Sequence, residues 1–177
     1  MKIEHFIKYG IKVTWKLLEI GYKSDSVFSN QLTSADIISY AIGKLAECDD
    51  IVIIDLASEY ESNTDSIQDK LYTLAEMENS SYELEFKKWQ VVYVLTNLPQ
   101  ENIDYLQGLF KLGDIWADLN YPLDSPHIYQ GRHNEISPEE YYTQQNYRLL
   151  WQKHCEWIAN ELKQIEDDSK DEEYDFP

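Results

Sequence analysis

The sequence predicts an all-α fold, and three features of the 177-residue chain predict it. Apolar residues recur at three- and four-residue spacing along almost its whole length. Ser, Thr and Asp helix-opening signals stand before several of those stripes. Six glycines and five prolines are too few for a turn-rich all-β fold. A hydrophobic fraction of 43% and an aromatic fraction of 14% belong to a chain that buries a core. The expected architecture is a single all-α domain over residues 1–165, with about six to eight antiparallel helices. An acidic, disordered tail is expected over 166–177.

Taken in order, "TSADIISYAIGKL" opens with a capping box from Thr33 to Asp36 and sets Ile37, Ile38, Ala41 and Leu45 on one face. Asp49 is a candidate cap for a short helix bearing Ile51 and Ile54. Asp65 with Gln68 opens the next, whose stripe is Ile67, Leu71 and Leu74. Tyr82, Phe86, Trp89 and Tyr93 repeat at helical spacing, so the β-branched run that follows reads as helix rather than strand. Ile103, Leu106, Phe110 and Trp116 mark another helix, with Gly108 and Gly113 allowing close approach. At "SPEE" Ser137 is an N-cap, Pro138 takes the first helical position and Glu140 completes a capping box. That helix is expected to run to about Ile165, burying Tyr147, Leu150, Trp151, His154, Trp157, Ile158, Leu162 and Ile165.

Charge excludes more than it identifies. The formal net charge of −18 repels nucleic acid and anionic membranes and draws in cationic partners. Apolar runs such as "VVYVL" fall far short of the roughly 20 residues a bilayer span needs. The N-terminus has no signal-peptide pattern, so a cytoplasmic location is expected. Cys48 and Cys155 form no CxxC and read as buried, reduced thiols. The charge is also uneven: residues 1–24 carry five lysines and two glutamates, net +3, whereas 47–85 carry twelve acids and one lysine, net −11.

Chemistry concentrates in "NYPLDSPHIYQG", residues 120–131. As a metal-dependent hydrolase, the chain would use Asp118, Asp124, His127 and His133. Yet there is no HExxH, CxxC or His pair on one helical turn, and Ser125 sits in no G-x-S-x-G elbow. The structural reading is a fixed joint between helices: Pro122 ends one, and Ser125–Pro126 repeats the helix-start pattern of Ser137–Pro138. Asp124 and Ser125 would bind free backbone N–H groups, His127 would hydrogen-bond across the loop, and Tyr121 and Tyr129 would cover the core. His154, between Trp151 and Trp157, reads as a core histidine. Asp114 and Asp118 read as an exposed acidic face. No Gly-rich phosphate loop is present, so neither a cofactor nor a nucleotide is expected.

The acidic block is the other candidate. Asp49, Asp50, Asp55, Glu59, Tyr60, Glu61, Asp65, Asp69, Glu76 and Glu78 combine charge with an aromatic anchor, which suits an interface with a basic protein.

The segments "IWADLNYPLDSPHIYQG" and "NYRLLWQKHCEWIANEL" resemble an uncharacterised bacterial family known as a domain of unknown function. "VTWKLLEIGY" and "ADIISYAIGKL" are compatible with its N-terminal part, and the resemblance runs to about residue 165. Its distinctive positions would be Trp116, Tyr121, Pro122, Asp124, Ser125, Pro126, His127 and Gln130, with Tyr129 inside the same loop, and it implies no activity for them. By type, the chain is also similar to immunity proteins of contact-dependent inhibition and polymorphic toxin systems. That similarity implies a non-enzymatic protein, open to self-association, that neutralises a basic toxin domain, first of all a nuclease.

Overall fold

The computed structural model describes residues 1–128 and 136–168 in full, and the backbone of 169–174. Every regular element among the described residues is an α-helix, nine in all. None of them is long and apolar enough to cross a membrane. The chain divides into two compact units, residues 1–92 and 93–177.

The first unit holds α1 (Ile3–Lys8), α2 (Trp15–Tyr22), α3 (Ser34–Lys44), α4 (Ile51–Ala57), α5 (Thr64–Glu76) and most of α6 (Tyr82–Asn97). Helix α2 is its centre. Thr14 caps it by accepting from the Leu17 N–H, nearly all its residues are buried, and it packs on α3 and α5. The Trp89 indole donates to the Leu17 carbonyl at 2.7 Å, and its ring lies on Gly21, where a Cβ would stand only 2.1 Å away. Phe6 and Phe28 complete an aromatic cluster around that ring, at 4.8 and 5.4 Å. One turn of α6 also buries an ion pair, Glu85 to Lys88 at 2.7 Å.

The Thr33–Asp36 capping box forms as the sequence predicts, and Ile37 and Ala41 are buried. Helix α4 differs. Asp50, not Asp49, is the cap, accepting from Val52 and Ile53 N–H groups. Ile53 and Leu56 then face inward, leaving Ile51 and Ile54 outside, and Leu45 at the end of α3 is also exposed. Helix α5 opens at Thr64 after Asn63, so Asp65 lies inside the first turn rather than capping it; its Ile67, Leu71 and Leu74 stripe is buried as expected. Cys48 is exposed and Cys155 half-buried, so neither thiol is the buried one expected.

The second unit contains the end of α6, α7 (Tyr105–Asp118), α8 (Pro138–Tyr141) and α9 (Gln144–Tyr174). Its core joins Leu109 and Leu112 to Tyr141, Tyr147 and Leu150. The expected stripe of α7 is rotated: Leu109, Leu112, Ile115 and Trp116 are buried, while Leu106 and Phe110 stay outside. Gly108 explains the rotation. A Cβ there would lie 2.3 Å from the Tyr147 ring, so α7 meets α9 along its glycine side. The Ser137 capping box is present, but the helix it opens ends at Tyr141. Tyr142 leaves helical geometry (φ −83, ψ 55), and α9 begins afresh at Gln144. Ile165 is the last buried side chain described in α9. The described backbone of α9 continues to Tyr174.

Candidate functional site

The end of α7 shows what "NYPLDSPH" does to the backbone. The Tyr121 N–H donates to the Trp116 carbonyl at 2.8 Å and the Asn120 N–H to Ala117 at 3.0 Å, the paired bonds of a Schellman ending. Asn120 has φ 57 and Tyr121 φ 54, so two non-glycine residues hold left-handed geometry in succession. Pro122 follows and cannot extend the helix. Residues 121–128 contain no helix, so Ser125–Pro126 is not the helix start its pattern resembles. Ser125 Oγ instead accepts the backbone N–H of His127 at 3.1 Å, closing a local turn. Tyr121 is exposed rather than laid over the core, as is Leu123.

His127 is buried. Its Nε2 lies 3.2 Å from the Tyr141 hydroxyl, and its ring centroid is 5.6 Å from that of His154. His154 is fully buried in α9, held at Nδ1 by the Leu150 carbonyl at 2.6 Å and at Nε2 by the Trp116 indole N–H at 2.7 Å. Burial, reinforced by neighbouring His154, pushes His127 down to about 3. Burial pushes His154 down to about 4, against the opposing pull of the Leu150 carbonyl. Both rings are therefore neutral near pH 7. Of the other hydrolase candidates, Asp118 is exposed and accepts the Tyr93 hydroxyl at 2.5 Å, and Asp124 is exposed. Tyr129, Gln130 and His133 lie outside the described residues. Among the described residues, no three His, Cys, Asp or Glu side chains are grouped to hold a metal ion.

The acidic block divides by role. Asp50 is spent on capping α4. Glu59 accepts from Lys70, Ser66 and Asn63, tying the α4–α5 loop to α5. The Lys70 ammonium, with those hydroxyl and amide donors, holds its carboxyl down at about 2. Asp65 lies 3.3 Å from Lys23, and Glu78 accepts the Lys16 backbone N–H at 2.9 Å. Glu78 is half-buried, which raises its carboxyl above the usual range despite that backbone donor. Asp49, Asp55, Glu61, Asp69 and Glu76 are exposed, and Tyr60 is 77% exposed.

What the sequence reading missed is the apolar company these acids keep. Ile42, Leu45, Ile51 and Ile54 are all exposed on α3 and α4, two helices packed on each other, with Ile51 67% exposed beside Asp49. The signal was present: Ile53–Leu56 and Ile51–Ile54 are two competing i,i+3 pairs in "IVIIDLA", and only one can face inward.

No curated protein and no solved structure matches the chain. A family model does match, over residues 3–162, spanning both units and the Schellman-ended α7. The chain thus belongs to the family of uncharacterised proteins conserved in bacteria designated DUF2247.

Proposed function

We propose that this protein is a cytoplasmic, non-enzymatic binding protein of the immunity type, which neutralises a cognate basic toxin domain, first of all a nuclease, by occluding its active site or substrate-binding surface. One observation carries the reading: apolar side chains exposed on α3 and α4 stand beside exposed carboxylates. Exposed isoleucines are uncommon in quantity on a monomer without a use. With acids around them they suit a partner whose own lysines and arginines would otherwise hold nucleic-acid phosphates. Asp49, Asp55, Glu61 and Asp69 would steer the encounter, and Ile51, Ile54 and Tyr60 would supply contact area. Glu59 and Asp65 serve chiefly as internal ties in this reading. The alternative hydrolase chemistry gains no support from His127, a buried side chain set against Tyr141 and His154.

The test is co-expression with a panel of basic nuclease toxin domains, followed by nuclease assay and association kinetics. Protection from the nuclease is expected, with an association rate that falls steeply as salt rises. Lysine at Asp49, Asp55, Glu61 and Asp69 together should slow association and abolish protection. Unchanged protection would remove the acidic block from the interface.

A further inference from the structure

Polar side chains fill two positions at the start of α6 that helices often give to apolar ones. Ser81 Oγ accepts the Leu84 N–H at 3.1 Å and the Ser81 carbonyl accepts the Glu85 N–H at 3.1 Å, so Ser81 is the N-cap. Ser80 is then the residue before the cap and Glu85 the fourth residue of the helix. Side chains at those two positions meet in a hydrophobic staple. Here both are polar and both are buried, Ser80 at 5% exposure and Glu85 at 0%. Lys88, one turn further along, is 1% exposed.

The hydrogen-bonding capacity of these three side chains is only partly used. Lys88 donates to Glu85 Oε1 at 2.7 Å, its one acceptor among the described residues, although an ammonium carries three N–H groups. Glu85 Oε2 and Ser80 Oγ are buried with no partner among the described residues, so they are not bonded to each other. The backbone around Ser80 is held from α2: the Lys16 ammonium donates to the Glu78 and Ser80 carbonyls at 2.6 Å each. Ser80 cannot move as a whole toward Glu85 without stretching those bonds. A buried carboxylate oxygen left without a donor is among the costliest defects a fold can carry.

We propose that one buried water molecule binds at the start of α6, accepting from Lys88 and donating to Glu85 Oε2 and Ser80 Oγ. A cation there would meet the charge of Lys88, and an anion that of Glu85. A neutral species that both donates and accepts satisfies all three groups, and their near-zero exposure restricts it to the size of water. Three hydrogen bonds are the usual complement of an internal water. The water takes the place of the staple's apolar contact and joins the Glu85–Lys88 pair to the segment that Lys16 holds. The assignment stands whether or not the chain neutralises a toxin.

Two measurements on the full chain test it. Oxygen-17 magnetic relaxation dispersion in enriched water registers only waters held long enough to tumble with the protein. The comparison is with the triple variant Ser80→Val/Glu85→Leu/Lys88→Met, which supplies an apolar staple and is checked for an unchanged fold by circular dichroism. The triple variant should lose the dispersion amplitude of one water relative to wild type. Equal amplitudes in the two folded proteins would overturn the proposal. A crystal structure of the wild-type chain keeps the question decidable if the variant does not fold. A solvent peak is expected at about 2.7–3.2 Å from Glu85 Oε2, Ser80 Oγ and Lys88 Nζ. A direct bond from the Ser80 hydroxyl to Glu85 Oε2, with no peak between them, would sink the idea. Neither measurement involves a toxin domain, so this assignment and the proposed function fail separately.

Discussion

Trp116 donates its indole N–H to Nε2 of His154 at 2.7 Å, and so fixes where the imidazole proton sits. With Nε2 accepting, the ring must carry its proton on Nδ1, where it donates to the Leu150 carbonyl at 2.6 Å. A second proton could enter only by breaking the tryptophan bond. His127, 5.6 Å away between ring centroids, is held neutral by the same burial.

This pair predicts the acid response of the fold. The unfolded chain binds protons at these histidines below about 6.5, whereas the folded chain refuses them until about 4 for His154 and about 3 for His127. Stability therefore falls as pH drops below 6.5 and the contribution levels off beneath those folded values. For His154 alone the loss is on the order of 3 kcal/mol. Urea unfolding at a series of pH values measures it. A His154→Phe variant should show a shallower slope between pH 6.5 and 4, and an unchanged slope would refute the assignment.

Two glycines should respond in opposite ways to alanine. At Gly108 a Cβ would meet the Tyr147 ring at 2.3 Å, and that ring is pinned by its hydroxyl's bond to the Gln100 carbonyl at 2.7 Å. Gly108→Ala should cost about 1–3 kcal/mol, more than its gain in helix propensity. At Gly43, in α3, nothing lies within 4 Å of an added Cβ. Gly43→Ala should stabilise by about 0.5–1 kcal/mol. Thermal melts of both variants decide the matter.

The Glu85–Lys88 pair is buried almost completely, one turn apart on α6. Lys88→Met would strand a buried carboxylate and should destabilise the protein by about 3–5 kcal/mol. Glu85→Leu added to it removes the stranded charge and should recover most of that loss, as a double-mutant cycle in urea would report.

On the outer face of α4, Ile51 is 67% exposed. Ile51→Ser should leave folding stability within about 0.5 kcal/mol of wild type. If α4 contacts the basic partner, the same change should raise the dissociation rate about tenfold. Surface plasmon resonance separates these effects, and an unchanged rate would place α4 outside the interface.

How much of this was legible in the sequence can be judged helix by helix. The capping boxes at Thr33 and Ser137 and the stripes of α5 and α9 were readable, because caps and periodicity are local chemistry. In α7 the periodicity was real but its rotation was not, since the Gly108–Tyr147 contact joins residues far apart in sequence. The break at Tyr142 likewise carried no Gly or Pro signal. At the candidate sites, the sequence identified the acidic block but could not separate Glu59, tied to Lys70, from Asp55, free on the surface. It read "NYPLDSPH" as a joint and ended α7 near Leu119, ahead of Pro122, but it missed the left-handed pair that makes the turn.

The sequence by itself determined that this chain is helical and strongly acidic, that its helices begin at particular caps, and that it belongs with one bacterial family. Those properties depend on near neighbours in the chain or on simple sums of charge. Tertiary structure decided which of two isoleucine pairs in α4 faces water, which carboxylates are spent on capping and pairing, and which stand in solvent. Such choices rest on packing between residues distant in sequence, where one glycine or one tyrosine hydroxyl fixes how a whole helix is turned.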